Sequence, residues 1–277
     1  MRIRYSFSSR KTRQIEGNNR HKRPFPDVVH DMLKMADIII EVIDARFIDE
    51  TRNLELEEAI HKAKKRLVYV FNKSDVADIS RVKKEISEKR LTPFVLLSCK
   101  TFMGKKRLRE RLQIETKRLH LSRRALVGII GYPNTGKSSL INMLTGRKTV
   151  GTSPQAGFTK GLQKIAFTRD IHVIDTPGVI SKKDSPATEK ENIVRSVKIG
   201  IKTYDRVKNP LFVVAKLMRN FPGIFDKYYE FDSGNDPEIL IEHLGKKHNL
   251  LAKGGIIDSD RTARLILKDW QTGKIKL

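Results

Sequence analysis

Gly131-Tyr132-Pro133-Asn134-Thr135-Gly136-Lys137-Ser138-Ser139 is the stretch that decides the fold. It satisfies the eight-residue phosphate-loop pattern, in which a glycine and four free positions lead into Gly-Lys-Ser. An apolar run ends at Ile130 just before it, and residues 137–144 behind it carry helical spacing. The loop therefore joins a strand to a helix, the context that makes the pattern specific. Its glycines let backbone N–H groups turn toward the α- and β-phosphates of a ligand at a helix N-terminus. Lys137 reaches the β- and γ-phosphates, the Ser138 hydroxyl suits Mg²⁺, and Thr135, Gly136 and Ser139 complete the cradle.

On both sides of this loop, β-branched runs alternate with amphipathic stretches, the pattern of a doubly wound α/β sheet. Strands are expected at residues 37–44, 66–72, 93–98, 125–131, 162–168 and 171–175, with helices at 53–65, 80–89, 105–120 and 137–144. The near-continuous apolar character of the strands implies burial on both faces. After Gly178 a polar stretch leads into residues 192–203, 210–220, 237–248 and 260–270, which show helical periodicity and no convincing strand. The division expected is a basic arm at 1–23, an α/β domain at 24–185 and a small all-α domain at 186–277. A chain of 277 residues is long enough for two such cores.

Asn72-Lys73-Ser74-Asp75, at the end of the 66–72 run, resembles the guanine-recognition motif of GTPases. A carboxylate at Asp75 can accept from guanine N1–H and the exocyclic amine, two donors that adenine does not present together. The Lys73 stem would cover the base, and Asn72 would tie this loop to the phosphate loop. Ser98-Cys99-Lys100 resembles the loop whose backbone N–H groups hold guanine O6, with cysteine where alanine is usual. Asp175-Thr176-Pro177-Gly178 fits the second switch, with Asp175 in the Mg²⁺ shell and the Gly178 N–H on the γ-phosphate. Thr159, in the polar loop before it, is the candidate first-switch threonine that meets Mg²⁺ with GTP bound.

Base recognition thus precedes the phosphate loop, and the switches come last. This order resembles the circularly permuted GTPases of the YlqF (RbgA) and YawG group. Asp44-Ala45-Arg46 with Arg52-Asn53, and Lys253-Gly254-Gly255-Ile256-Ile257-Asp258, are similar to that family's characteristic segments. The resemblance implies a permuted P-loop domain followed by a helical one, binding of GTP and GDP, and assistance in assembly of the large ribosomal subunit. Val179 stands where many GTPases keep a water-orienting glutamine. Asn134 matches an asparagine that helps related GTPases bind K⁺ beside the phosphates, a cation able to act as an arginine finger does. The group also carries a histidine in a Phe-Pro-Gly-His-Met motif. His21 lies at the corresponding distance before Asp44 but lacks the motif's neighbours. Lys137, Asn134 and His21 are the catalytic candidates. A catalytic Cys99 has no histidine beside it in sequence.

Lys and Arg number 56 against 32 Asp and Glu, a net charge of +24, so a polyanion is the natural partner. With the basic arm and clusters such as Lys62 to Arg66 and Lys105 to Arg109, the charge points to nucleic acid rather than to a membrane, and the family resemblance implies that this is rRNA. No apolar run approaches the roughly 20 residues of a membrane helix, and no prenylation cysteine or myristoylation signal is evident. A single cysteine excludes an internal disulfide and suggests the cytoplasm. A monomer is expected. Tyr228, Tyr229 and Trp270 could stack on bases, although aromatic residues of a small domain usually form its core. The competing function is an RNA-binding placeholder or chaperone whose GTP site is regulatory and hydrolyses little.

Overall fold

The computed structural model describes residues 25–146, 163–175 and 189–277. Strands β1 (Ile38–Asp44), β2 (Arg66–Asn72), β3 (Phe94–Leu96), β4 (Ala125–Ile130), β5 (Gln163–Ala166) and β6 (Ile171–Asp175) form one sheet. Its order is β3-β2-β1-β4-β6-β5. All neighbours run parallel except β5, which pairs antiparallel with β6. The α/β class and the mainly parallel doubly wound sheet expected from the sequence are therefore present.

Every residue of β1 is buried, as a central strand covered on both faces requires. Its side chains alternate between two cores. Ile38, Ile40 and Val42 meet Leu108 and Leu112 of α5 (Lys105–Arg118) and Leu140 and Ile141 of α6 (Lys137–Thr145). Ile39 and Ile43 face the opposite way, with Met32 of α1 (Phe25–Met35), Ile48 of α2 (Ile48–Thr51), Leu56 and Ile60 of α3 (Leu54–Lys62), and Val82 and Ile86 of α4 (Ile79–Glu88). Glu41 shares that second face, where buried Asn53 and Glu57 are its polar neighbours.

A third core belongs to α7 (Glu189–Lys198), α8 (Pro210–Asn220), α9 (Ile224–Tyr229), α10 (Pro237–Lys247) and α11 (Ser259–Gln271). Asn209 and Asp236 cap α8 and α10 through their side chains, each followed by proline at the first helical position, while Asp258 caps α11. Phe47, from the loop after β1, inserts into this core and stacks on Trp270 at a ring-centre distance of 6.0 Å.

Among the described residues, three helices beyond the sequence reading appear. α1 precedes β1, while α2 and α9, with four and six residues, are too short for periodicity to stand out. The expected strand over 93–98 shortens to β3: Leu97 still donates to the Phe71 carbonyl but gives its own carbonyl to Ser74, and the Ser98 N–H turns to the Met103 carbonyl. The division expected between 185 and 186 lies outside the described residues.

Candidate functional site

The strands β1, β2, β4 and β6 run parallel, so the loops at their C-terminal ends gather along one edge of the sheet, where such folds bind ligands. The phosphate-loop stretch follows β4 and opens α6. Gly131 has φ +146°, and a Cβ there would lie 2.4 Å from the Val42 carbonyl oxygen. Gly136 has φ +103°, and its Cβ would meet Asn72 Nδ2 at 2.2 Å. Both positions therefore require glycine, for conformation and for close approach.

Lys137 is buried, its ammonium donating to the carbonyls of Gly131 at 2.9 Å and Tyr132 at 2.6 Å, in the mouth of the loop. Thr135 Oγ1 donates to the Tyr132 carbonyl at 2.9 Å and braces the turn. Ser138 and Ser139 sit half-buried in the first turn of α6. Asn134, in left-handed conformation at φ 61°, donates its side-chain amide to the Gly200 carbonyl, which lies past α7.

Asn72 joins three separate segments. Its Nδ2 donates to the Thr135 carbonyl at 2.7 Å, and its Oδ1 accepts from the Cys99 N–H at 3.1 Å. Ser74 Oγ donates to the Leu97 carbonyl at 2.7 Å, tying the 72–75 loop to the end of β3. Ser98 is wholly buried, its hydroxyl accepting from the Thr101 N–H at 3.1 Å, while Lys100 is exposed. Asp75 lies half-buried in a short 3₁₀ turn. Burial pushes the Cys99 thiol up to about 12, so it stays protonated and is no nucleophile at neutral pH. Asp175 ends β6. Thr159, Gly178 and His21 lie outside the described residues.

Asp44 takes a part that the sequence reading did not assign. It is fully buried, accepts from Arg46 Nη2 at 2.8 Å and Nε at 3.0 Å, and lies 2.8 Å from the Lys73 ammonium. Burial alone would raise its pKa, but the two cations hold the carboxyl well below the usual range. Arg46 continues to the Trp270 carbonyl at 3.2 Å, so Lys73 and α11 share one ion network. Beside it, Arg52 grips Glu57 with two hydrogen bonds of 2.9 and 2.7 Å, Tyr69 donates to Glu57 at 2.9 Å, and Glu41 accepts from the Asn53 N–H at 2.8 Å. The signal for Asp44 and Arg46 was their membership of a motif without a stated role. That for Glu41 was an acid inside the apolar run 38–43.

A phosphate loop at one strand end, tied through one asparagine to two loops that precede it in the chain, defines a P-loop protein of GTPase class with permuted motif order. Residues 126–231 match the family described as 50S ribosome-binding GTPase. The chain is 37% identical over 262 residues to an uncharacterized GTP-binding protein of Methanocaldococcus jannaschii, covering 92% of this chain and 66% of that one. It is 34% identical over 256 residues to nucleolar GTP-binding protein 2 of Saccharomyces cerevisiae, covering 89% of this chain and 51% of that one. The chain thus spans between half and two thirds of the length of these relatives. The GNP-bound crystal structure of YlqF from T. maritima shares the fold, with a TM-score of 0.64 and 24% identity over 91% of this chain and 94% of that one. The chain is thus related to GTP-binding proteins, shares the fold of YlqF, and carries its own motifs in permuted order. Among the described residues no helix is long and apolar enough to cross a membrane.

Proposed function

We propose that the protein binds GTP with Mg²⁺, hydrolyses it to GDP and phosphate, and uses the cycle to assist assembly of the large ribosomal subunit through contacts with rRNA. The observation that carries the nucleotide site is Asn72, whose two hydrogen bonds hold the guanine-recognition candidates and the phosphate loop in one frame. The relatives' names, a 50S ribosome-binding GTPase family and a nucleolar GTP-binding protein, support the ribosomal part. In this reading Asp75 selects guanine, with Lys73 beside it and the backbone of Ser98, Cys99 and Lys100 on the base oxygen. Asn134, Thr135, Gly136, Lys137, Ser138 and Ser139 hold the phosphates. Ser138, Thr159 and Asp175 are the proposed Mg²⁺ ligands, and the Gly178 N–H would reach the γ-phosphate. Mg²⁺ neutralises charge on the β- and γ-oxygens as the phosphoryl group leaves.

The division into a basic arm, a GTPase domain and a helical RNA-binding domain belongs to the same proposal, as do a monomeric state and the cytoplasm. K⁺ held by Asn134 is a further part of it: a cation takes oxygen, so the ligand is Oδ1 and not the nitrogen that meets Gly200. His21 remains a proposed catalytic group on its spacing before Asp44.

Titration with fluorescent nucleotides tests the site. GTP should bind at least about a hundredfold more tightly than ATP, and Asp75→Asn should erase that preference, because the selecting carboxylate is gone. Equal affinity of the wild type for the two nucleotides would remove the base-recognition assignment. Negligible turnover even in the presence of large subunits would favour the placeholder function instead.

A further inference from the structure

Edge strand β3, with α4 and α5 beside it, forms a groove of about 690 Å³ separate from the nucleotide site. Lys83, Phe94, Arg107, Arg111, Ile114 and Arg118 line it, with Glu110 as the one acid of the lining. On α5, positions 107, 111, 114 and 118 recur at helical spacing, so they form a single stripe about 16 Å long.

The stripe is held in place from below. Glu115, 1% exposed, has Arg118 at 3.1 Å, Arg111 at 3.6 Å and Arg66 at 4.0 Å. One carboxylate orders three guanidiniums and leaves two positive charges uncompensated. Fixed guanidiniums suit phosphate oxygens, which they can grip bidentately. In the turn that opens α5, five residues before Arg107 of the lining, Phe102 is 60% exposed and offers an aromatic face.

We infer that this groove seats the phosphate backbone of an RNA strand, with Phe102 and Ile114 as supports for its bases. The inference rests on the ribosomal RNA reading above and names a site for it. An acidic peptide adding to β3 as a strand is the rival occupant, and the edge is too short for it. Tyr69 N–H bonds the Pro93 carbonyl and Leu97 N–H the Phe71 carbonyl, which turns Phe94 and Leu96 outward. A Cβ on Gly104 would lie 2.2 Å from the Leu96 oxygen, so that carbonyl is already covered. Phe94 and the Leu96 N–H are what is left open, whereas strand addition draws its affinity from a longer run of main-chain bonds.

The test uses the full chain, large-subunit rRNA and filter binding at several KCl concentrations. The double variant Lys83→Glu/Arg107→Glu leaves the Glu115 cluster intact. It should bind RNA at least about tenfold more weakly, with a log–log salt slope shallower by about 1.5, while GTP affinity and melting temperature stay at the wild-type values. Wild-type RNA affinity in this variant, with loss in Lys216→Glu/Arg219→Glu on α8, would overturn the groove assignment and leave RNA binding standing. Absence of RNA binding by the wild type would overturn both. Polyglutamate that binds as tightly as RNA, and loses affinity in the same groove variant, would assign the groove to an acidic protein segment and overturn the RNA occupant.

Discussion

Single side chains in this protein carry consequences that composition does not show. Glu41 lies in the middle of the central strand with one carboxylate oxygen bonded by Asn53 and the other without a donor. Burial, and then the neighbouring Glu57 carboxylate, push its pKa well above the ordinary range. A proton shared between the two carboxyls satisfies both. Because the folded state binds that proton more tightly than the unfolded one, stability from this group is greatest at low pH. It is lost as pH rises from the ordinary carboxylate range through the folded-state pKa, by up to about 1.4 kcal/mol per pH unit. Glu41→Gln keeps the donor and carries no charge, so its stability relative to wild type should climb with pH in urea unfolding between pH 5 and 9. A pH-independent difference would exclude the shared proton. Asn134 raises the second prediction at this scale. GTP hydrolysis should run several-fold faster in KCl than in NaCl at equal ionic strength, with the difference gone in Asn134→Ala, since phosphoryl transfer is driven mainly by charge stabilisation. Identical rates in the two salts would end the potassium role.

The loop after β1 is the element that joins the nucleotide site to the helices. Asp44 pairs with Lys73, Arg46 bridges Asp44 to the Trp270 carbonyl, and Phe47 packs inside the helical core. Asp44 is charged at neutral pH and loses its contribution only as pH falls well beneath the usual carboxylate range, so the link is intact under physiological conditions. Trp270 is the one tryptophan of the chain and wholly buried, which makes it a reporter. GTP binding, by drawing Lys73 toward the base, should change Trp270 emission. Arg46→Ala leaves the Lys73 and Asp44 pair in place, so it should still bind GTP while the emission change disappears. The same change in both proteins would show that the loop transmits nothing. Loss of fold in the variant would appear separately in far-UV circular dichroism, and truncation of a buried ion pair costs about 3–5 kcal/mol.

Across the whole molecule, several short contacts join the helices to the sheet edge that holds the site. Lys198 of α7 pairs with Glu50 at 2.5 Å and lies 4.7 Å from the Phe47 ring centre, Gly200 accepts from Asn134 of the phosphate loop, and the Leu277 N–H bonds the Val76 carbonyl at 3.2 Å. Among the described residues, these contacts set the candidate site directly against the helices. GTP, and not GDP, should therefore raise affinity for the large subunit or its precursor, and by linkage the subunit should strengthen GTP binding over GDP by the same factor. Affinity should also fall steeply with salt, because many Lys and Arg release counterions from phosphate. Co-sedimentation with each nucleotide at several KCl concentrations measures this. Equal affinity in the two states would leave an RNA-binding protein with a nucleotide site and no switch.

The sequence by itself determined the α/β class, all six strands to within two residues, and the strand-to-helix setting of the loop at 131–139. These are local signals: strand and helix periods, and glycines demanded by the loop's own backbone. The aromatic residue at 270 read more readily as core than as a base-stacking surface, and it is buried at the centre of the helical core. What only the tertiary structure decided is everything that depends on strand order. β4 enters the sheet between β1 and β6, and this brings Asn72, sixty-three residues distant, to the Thr135 carbonyl. The same topology set Asp44 between Lys73 and Arg46, placed Glu41 opposite Glu57, and turned the basic stripe of α5 toward the open edge of β3. Charge and periodicity name such residues, but a contact across the chain exists only when the sheet brings its ends together.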